Sequence, residues 1–248
     1  MKYLYIWDDI PVFYDIPSSN IESKILTLFD YLNNKGKCKY TLFSRCEFNK
    51  WVNSLDKIKS NNVIAIGTRP ALFKPKSITS ISNIKPKRII SQNGSTDNVI
   101  LDDLSKSIIN DCIKKNEDIH FIEDVVVGGR TIKGICDYLD SQNYKGKKIF
   151  HVFTANKSSV DKLESEYLNE IIMDVGIYME EEPIKGSTLL CCSDLLYGKL
   201  GSKPYIERTD LLKMFFFEDI DKLVKVVKEI LEYVNSKKLK LGGESLNE

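Results

Sequence analysis

The sequence is poor in the residues that metal and redox sites need. Of 248 residues only two are histidine, His120 and His151, and the six cysteines (Cys38, Cys46, Cys112, Cys136, Cys191, Cys192) contain no Cys-x-x-Cys pair. Neither histidine has a cysteine or a second histidine at ligand spacing, which removes the common zinc motifs. Both stand among large apolar residues, a setting that predicts buried or half-buried rings satisfied by hydrogen bonds. No apolar run approaches the roughly 20 residues that a membrane-spanning helix needs. Asp8-Asp9 stands where a signal peptide would be apolar, so a cytoplasmic protein with reduced thiols is expected. An excess of one charge is missing too. The 36 basic and 35 acidic side chains leave a formal net charge of +1, and no global field draws the chain to nucleic acid or anionic lipid.

What remains is ordinary globular composition, 42% apolar and 29% charged, too apolar for a disordered chain. No internal repeat or low-complexity linker divides it. A single domain over residues 1–248 is expected, with a core at about 60–175, a hood from 1–20 and 176–214, and a C-terminal helix at 219–236. Short apolar runs alternate with amphipathic stretches, which is the pattern of a parallel sheet. Residues 3–7 read as a strand. Residues 63–66, 88–90, 119–122, 148–153 and 171–173 predict five more, and residues 21–32, 104–113, 131–139 and 163–168 predict helices. The fold class expected is α/β, a doubly wound, mainly parallel five-stranded sheet with helices on both faces.

The stretch richest in chemistry is Phe121-Ile122-Glu123-Asp124-Val125-Val126-Val127-Gly128-Gly129-Arg130-Thr131. An apolar strand meets two adjacent carboxylates, and a Gly-Gly turn then opens a helix. In a parallel sheet the carboxyl ends of the strands are where ligands lie, because the following helix aims free N–H groups and its positive dipole end into the crevice. A phosphate fits residues 127–131: Gly128 and Gly129 admit its oxygens to the backbone, and Thr131 adds a hydroxyl. One step back, Glu123 and Asp124 can accept hydrogen bonds from the vicinal hydroxyls of a sugar. The plainer reading of the same residues is a helix cap followed by an ordinary turn.

This ordered set resembles the ribose-phosphate loop of the type I phosphoribosyltransferases. The resemblance implies that Glu123 and Asp124 hold the ribose of phosphoribosyl pyrophosphate, and that Val127, Gly128, Gly129, Arg130 and Thr131 hold its 5-phosphate. It departs at Val127 and Gly128, where the family carries threonine, serine or alanine. The family also has a pyrophosphate loop after the first core strand. Here Val63-Ile64-Ala65-Ile66-Gly67-Thr68-Arg69-Pro70 occupies that place, so Gly67, Thr68 and Arg69 are the pyrophosphate candidates, with a solvated turn as the alternative. In the family a mobile loop closes over the reacting centre, and the polar, turn-rich residues 91–98 fall in its interval.

The resemblance implies an enzyme that transfers ribose 5-phosphate from phosphoribosyl pyrophosphate to a nitrogenous base and releases pyrophosphate, with Mg2+ as cofactor and no direct protein ligand for it. Asp174 and Tyr178 are candidates for contact with the base. The alternative keeps the fold without catalysis: a regulator or sensor that binds phosphoribosyl pyrophosphate or a nucleotide. Homodimerisation stays open.

Overall fold

The computed structural model describes residues 2–7, 38–43, 45–67, 77–78, 80–90, 96–168, 170–179 and 187–191, with scattered helical positions at 23, 26 and 30 and between 221 and 236. The chain divides into two compact units, residues 1–47 with 182–248, and residues 48–181. In the first, β1 (Lys2–Trp7) pairs in parallel with β2 (Cys38–Phe43) on one side and with β10 (Ser187–Cys191) on the other. The helical positions 23, 26 and 30 fall inside the helix expected at 21–32, and those after 220 inside the one expected at 219–236.

The second unit holds the five-stranded parallel sheet, and its three central strands are built from runs buried on both faces. Val63-Ile64-Ala65-Ile66 forms β3 and is buried at every position, as a central parallel strand requires. The others are β4 (Ser82–Ile84), β7 (Ile119–Val126), β8 (Lys148–Asn156) and β9 (Ile171–Met179), in the spatial order β4-β3-β7-β8-β9 and all parallel. Helices α2 (Asp103–Lys114), α3 (Arg130–Ser141) and α4 (Lys157–Glu166) supply Ile109, Cys112, Ile132, Ile135, Leu139, Val160 and Leu163 to one core with Phe121, Phe150 and Val152 of the strands. Phe121 and Phe150 stack there at 4.8 Å, each ring fully buried and worth roughly 1.5–3 kcal/mol. The other face is covered by Phe48 and Trp51 of α1 (Arg45–Ser54), which meet Phe153 at 5.0 and 5.6 Å. Gly176 on β9 lacks a side chain where the Trp51 ring lies, since a Cβ there would stand 2.7 Å from Trp51 Cδ1.

The helix ends follow local chemistry. Asp102 caps α2 by accepting the Ser105 N–H at 2.8 Å. Asn116 and Asn143, at φ of 56° and 55°, occupy the left-handed position just beyond α2 and α3, which asparagine tolerates better than most residues.

Two expectations changed place. Residues 88–90 do not enter the parallel sheet. They belong to β5 (Lys87–Ile90), which pairs antiparallel with β6 (Thr96–Ile100) in a separate ribbon, so part of the segment read as a polar loop is a strand. The second core strand is Ser82–Ile84, whose only buried residue is Ile84; three residues with one apolar position carry no periodic signal. The ribbon rests on α3 at Gly134, where a Cβ would meet the Val99 Cβ at 3.1 Å. Among the described residues no helix is long and apolar enough to cross a membrane.

Candidate functional site

The order β4-β3-β7-β8-β9 means that the chain steps from β3 outward to β4 and then returns to β7 on the other side of β3. At such a reversal the two flanking connections part and leave a crevice at the carboxyl ends of the strands. That rule puts the candidate crevice at the carboxyl ends of β3 and β7. The pairing of β3 with β7 ends at Ala65 and Ile122, and Glu123 is the next residue of β7. Gly67 turns the chain at φ 85°, a conformation that favours glycine, and its N–H donates to Ile84 O at 2.8 Å.

Glu123 and Asp124 are brought together here, both buried, at 4% and 9% exposure. They do not end the strand, because β7 runs two residues further to Val126. The backbone around them is fixed: Glu123 Oε1 accepts the Asp124 N–H at 3.2 Å, and the Thr154 hydroxyl donates to Asp124 O at 3.4 Å. Burying two neighbouring carboxylates costs free energy unless polar partners face them, so their location inside the sheet's end marks them for hydrogen bonding rather than solvation.

Val127, Gly128 and Gly129 then form the turn into α3. The Val127 carbonyl accepts from Asn156 Nδ2 at 3.2 Å and from Ser159 Oγ at 2.5 Å. Since the peptide is planar and trans, that anchoring points the following N–H, of Gly128, away from Asn156 and Ser159. Gly129 takes φ 71° as the residue before the helix, and the first helical bond runs from Lys133 N–H to Gly129 O at 2.9 Å. The N–H groups of residues 130–132 therefore precede the helical ladder, at the positive end of a 12-residue helix.

The two glycines have different reasons. A Cβ on Gly128 would meet nothing within 4 Å, so this position borders open space. A Cβ on Gly129 would stand 2.9 Å from Leu163 Cδ1, so this glycine lets α3 and α4 approach and is not the one that makes room for a ligand. Arg130 is exposed and Thr131 half-buried at the first two positions of the helix. Of the pyrophosphate candidates, Gly67 is placed beside the crevice, and Thr68 and Arg69 lie outside the described residues.

Sequence reasoning missed Asn156 and Ser159, which hold the loop by its carbonyl. Their signal was the run Asn156-Lys157-Ser158-Ser159 directly after a strand, a capping pattern at the start of α4. Tyr178 lies at the same end of the sheet, paired with Ala155, which pairs in turn with Val126. The residue is 44% exposed, and the Lys157 ammonium sits 5.2 Å from the ring centroid while bound to Asp161. Asp174 does not reach this end. It is engaged mid-strand by His151 and Lys57.

Among the described residues no group of three or more histidine, cysteine or carboxylate side chains could hold a metal ion. A magnesium ion carried on the oxygens of a phosphorylated substrate needs no such group, since that ion commonly completes its shell with substrate phosphates and water.

No family model matches the sequence, and no curated protein matches it either. Among solved structures the chain is similar to a hypothetical protein from Neisseria gonorrhoeae crystallised with bound ppGpp, at 13% identity and a TM-score of 0.43, over 64% of this chain and 90% of that one. It is also similar to the AQ2163 protein from Aquifex aeolicus, at 12% identity and a TM-score of 0.36, over 69% of this chain and 89% of that one. Neither likeness is close enough to bear on what this chain binds.

Proposed function

We propose that the crevice between β3 and β7 binds a ribose 5-phosphate group and that the protein transfers it from phosphoribosyl pyrophosphate to a nitrogenous base, releasing pyrophosphate. The observation that carries this reading is the order of parts along one strand end: a buried carboxylate pair, an open glycine at residue 128, and the start of a 12-residue helix. A sugar phosphate has the matching order, vicinal hydroxyls on one side and a dianion on the other.

Each residue then has a task. Asp124 and Glu123 accept hydrogen bonds from the ribose hydroxyls, which are stronger for an ionised acceptor. The N–H groups of residues 128–132 and the Thr131 hydroxyl bind the 5-phosphate, and Asn156 and Ser159 keep the loop oriented for it. That phosphate is remote from the bond that breaks, so its binding energy fixes the reacting geometry. Cleavage at the anomeric carbon builds positive charge on the ribose ring, next to the two carboxylates, and negative charge on pyrophosphate, on the side of Gly67. Magnesium, when bound to the pyrophosphate oxygens, supplies charge neutralisation there. Tyr178, with Lys157 over its ring, offers a flat surface and a cation for the acceptor base at the same sheet end.

A second reading is favoured by one feature. Val127 is 38% exposed in a loop where an added hydroxyl would strengthen the phosphate site, and a sensor that needs only reversible binding tolerates that loss. The test is to incubate the protein with magnesium phosphoribosyl pyrophosphate and a panel of purines, pyrimidines and pyridine carboxylates. Pyrophosphate release with one of them supports transfer. Binding of ribose 5-phosphate with no release for any of them supports the sensor, and absence of binding overturns both readings.

A further inference from the structure

The chain's two histidines, 31 residues apart in sequence, meet on the sheet face that Trp51 covers. His151 pairs with Asp174 across β8 and β9, and Asp174 shares its face with Gly176, against which the Trp51 ring lies. Four side chains are joined in series. Lys57 Nζ contacts Asp174 Oδ2 at 2.9 Å, His151 Nδ1 contacts the same oxygen at 2.8 Å, and His120 Nδ1 stands 3.0 Å from His151 Nε2, the two rings parallel to within 5°. Lys57 belongs to the 3-10 turn Leu55–Lys57 that follows α1, while His120, His151 and Asp174 come from three adjacent strands.

The acceptors fix the protons. A carboxylate only accepts, so His151 donates from Nδ1 to Asp174 and, when neutral, leaves Nε2 as an acceptor. His120 must then donate from Nδ1 to His151 Nε2, which leaves His120 Nε2 bare. A first added proton can settle on His120 Nε2 without breaking a bond in the series. A second has only His151 Nε2 to go to, where it would face the His120 N–H across 3.0 Å. With both rings neutral, Lys57 and Asp174 cancel; each proton then adds one positive charge to a cluster in which His151 is 4% exposed. The cation best able to leave is Lys57, whose side chain is 59% exposed.

We propose that the His120–His151 pair, braced by Asp174, is an acid switch that holds the Leu55–Lys57 turn on the sheet while it carries at most one added proton and releases Lys57 when it takes the second. The charged groups that act on the pair are Asp118 at the foot of β7, Asp174 on β9 and Lys57 on the turn. Burial lowers the affinity of both rings for protons. For His120 the neighbouring His151 adds to this and Asp118 opposes it; for His151 the Asp174 carboxylate opposes it and Lys57 adds to it. Because both rings bind protons less readily folded than unfolded, their contribution to stability is complete above the unfolded value, about 6.5, and is lost as the pH falls through the lower folded values. The switch is independent of what the crevice binds.

The test uses the full-length protein and nitrogen–proton NMR of the two rings. At about pH 7.5, well above the reference histidine value, both rings are expected to carry their proton on Nδ1. Lowering the pH should protonate them in two separate steps, His120 first. The protection of the Ile58 N–H, which bonds Leu55 O at 2.9 Å, should fall about tenfold with the second step, as local opening of the turn requires. In His120→Gln, which keeps a donor toward His151 and removes one titrating group, proton uptake on unfolding near pH 6 should fall, by at most about 0.8 of a proton. An Nε2–H proton on either ring at the higher pH, Ile58 protection that is unchanged once the second ring has taken its proton, or unchanged proton uptake in His120→Gln overturns the proposal. Should that variant fail to fold, the tautomers and the Ile58 protection of the parent protein decide.

Discussion

At the amino-terminal end of β8 a buried ammonium is held by two carboxylates at the wall of a cavity, whereas at the carboxyl-terminal end of β7 two buried carboxylates precede a glycine turn. Lys148 is 1% exposed, and its ammonium contacts Asp140 Oδ1 at 2.5 Å and Glu170 Oε2 at 2.9 Å. Burial works against its proton, yet the two carboxylates outweigh burial and hold the lysine above its ordinary value. Tyr144 lines a cavity of about 300 Å³ at the same end with Asp140, Lys148 and Glu170, and donates to Glu117 O at 2.7 Å. At the other end the buried carboxylates Glu123 and Asp124 lie below a turn whose Gly128 borders open space, and the helix that follows begins with N–H groups ahead of its ladder. The same ingredient, polar side chains removed from water, meets converging side-chain partners at one end and stands beside the free backbone donors of a helix start at the other. A ligand site is therefore recognised by the company its charges keep, not by their burial alone.

The comparison can be broken by substitutions at each end, measured by urea unfolding and by calorimetry with ribose 5-phosphate. The largest expected effect is Gly129→Val. It forces a β-branched residue to φ 71° and drives its side chain into Leu163, so a loss of about 4 kcal/mol in stability is expected. If this variant unfolds at the parent's urea midpoint, the packing role of Gly129 is wrong. Next comes the pair Asp140→Asn with Glu170→Gln, which strands a buried ammonium and should cost about 3 kcal/mol while leaving ligand affinity unchanged. Lys148→Met should cost less, about 1 kcal/mol, because the carboxylates left behind are 41% and 58% exposed and can be hydrated. Equal costs for the two would mean that this end owes its stability to packing rather than to charge. The smallest effect on stability is expected for Gly128→Val, within about 0.5 kcal/mol, since its side chain meets nothing. Ribose 5-phosphate affinity should nevertheless drop by at least about tenfold, about 1.4 kcal/mol, because the branched side chain fills the approach to the backbone donors. Unchanged affinity would move the phosphate away from residues 127–131.

The strand, acidic pair, glycine turn and helix of residues 119–141 were legible because they form one local chain segment, in which each part predicts the next. So were the α/β class and the parallel sheet, from the alternation of apolar runs. Strand β4 was not legible, since Ser82-Asn83-Ile84 gives a single buried side chain and is recruited by pairing with β3. The β5–β6 ribbon was hidden for the opposite reason: its second strand, Thr96-Asp97-Asn98-Val99-Ile100, begins with polar residues typical of turns. The contact of His120 with His151 needed the register of β7 against β8, which no local pattern encodes, although the expectation of hydrogen-bonded rings holds. Gly129 illustrates a finer limit. Its presence in the turn was readable, but whether its missing Cβ makes room for a ligand or for Leu163 depends on where α4 packs.

The central claim, that the carboxylates at the end of β7 grip a ribose, is tested most directly by Asp124→Asn in calorimetry with two ligands. Asparagine keeps the shape and one acceptor but loses the charge, so ribose 5-phosphate should bind about 1.5–3 kcal/mol more weakly. An analogue that lacks both ring hydroxyls should bind parent and variant alike. A variant that weakens both ligands equally, or neither, would contradict the ribose role of Asp124 and with it the function proposed for the crevice.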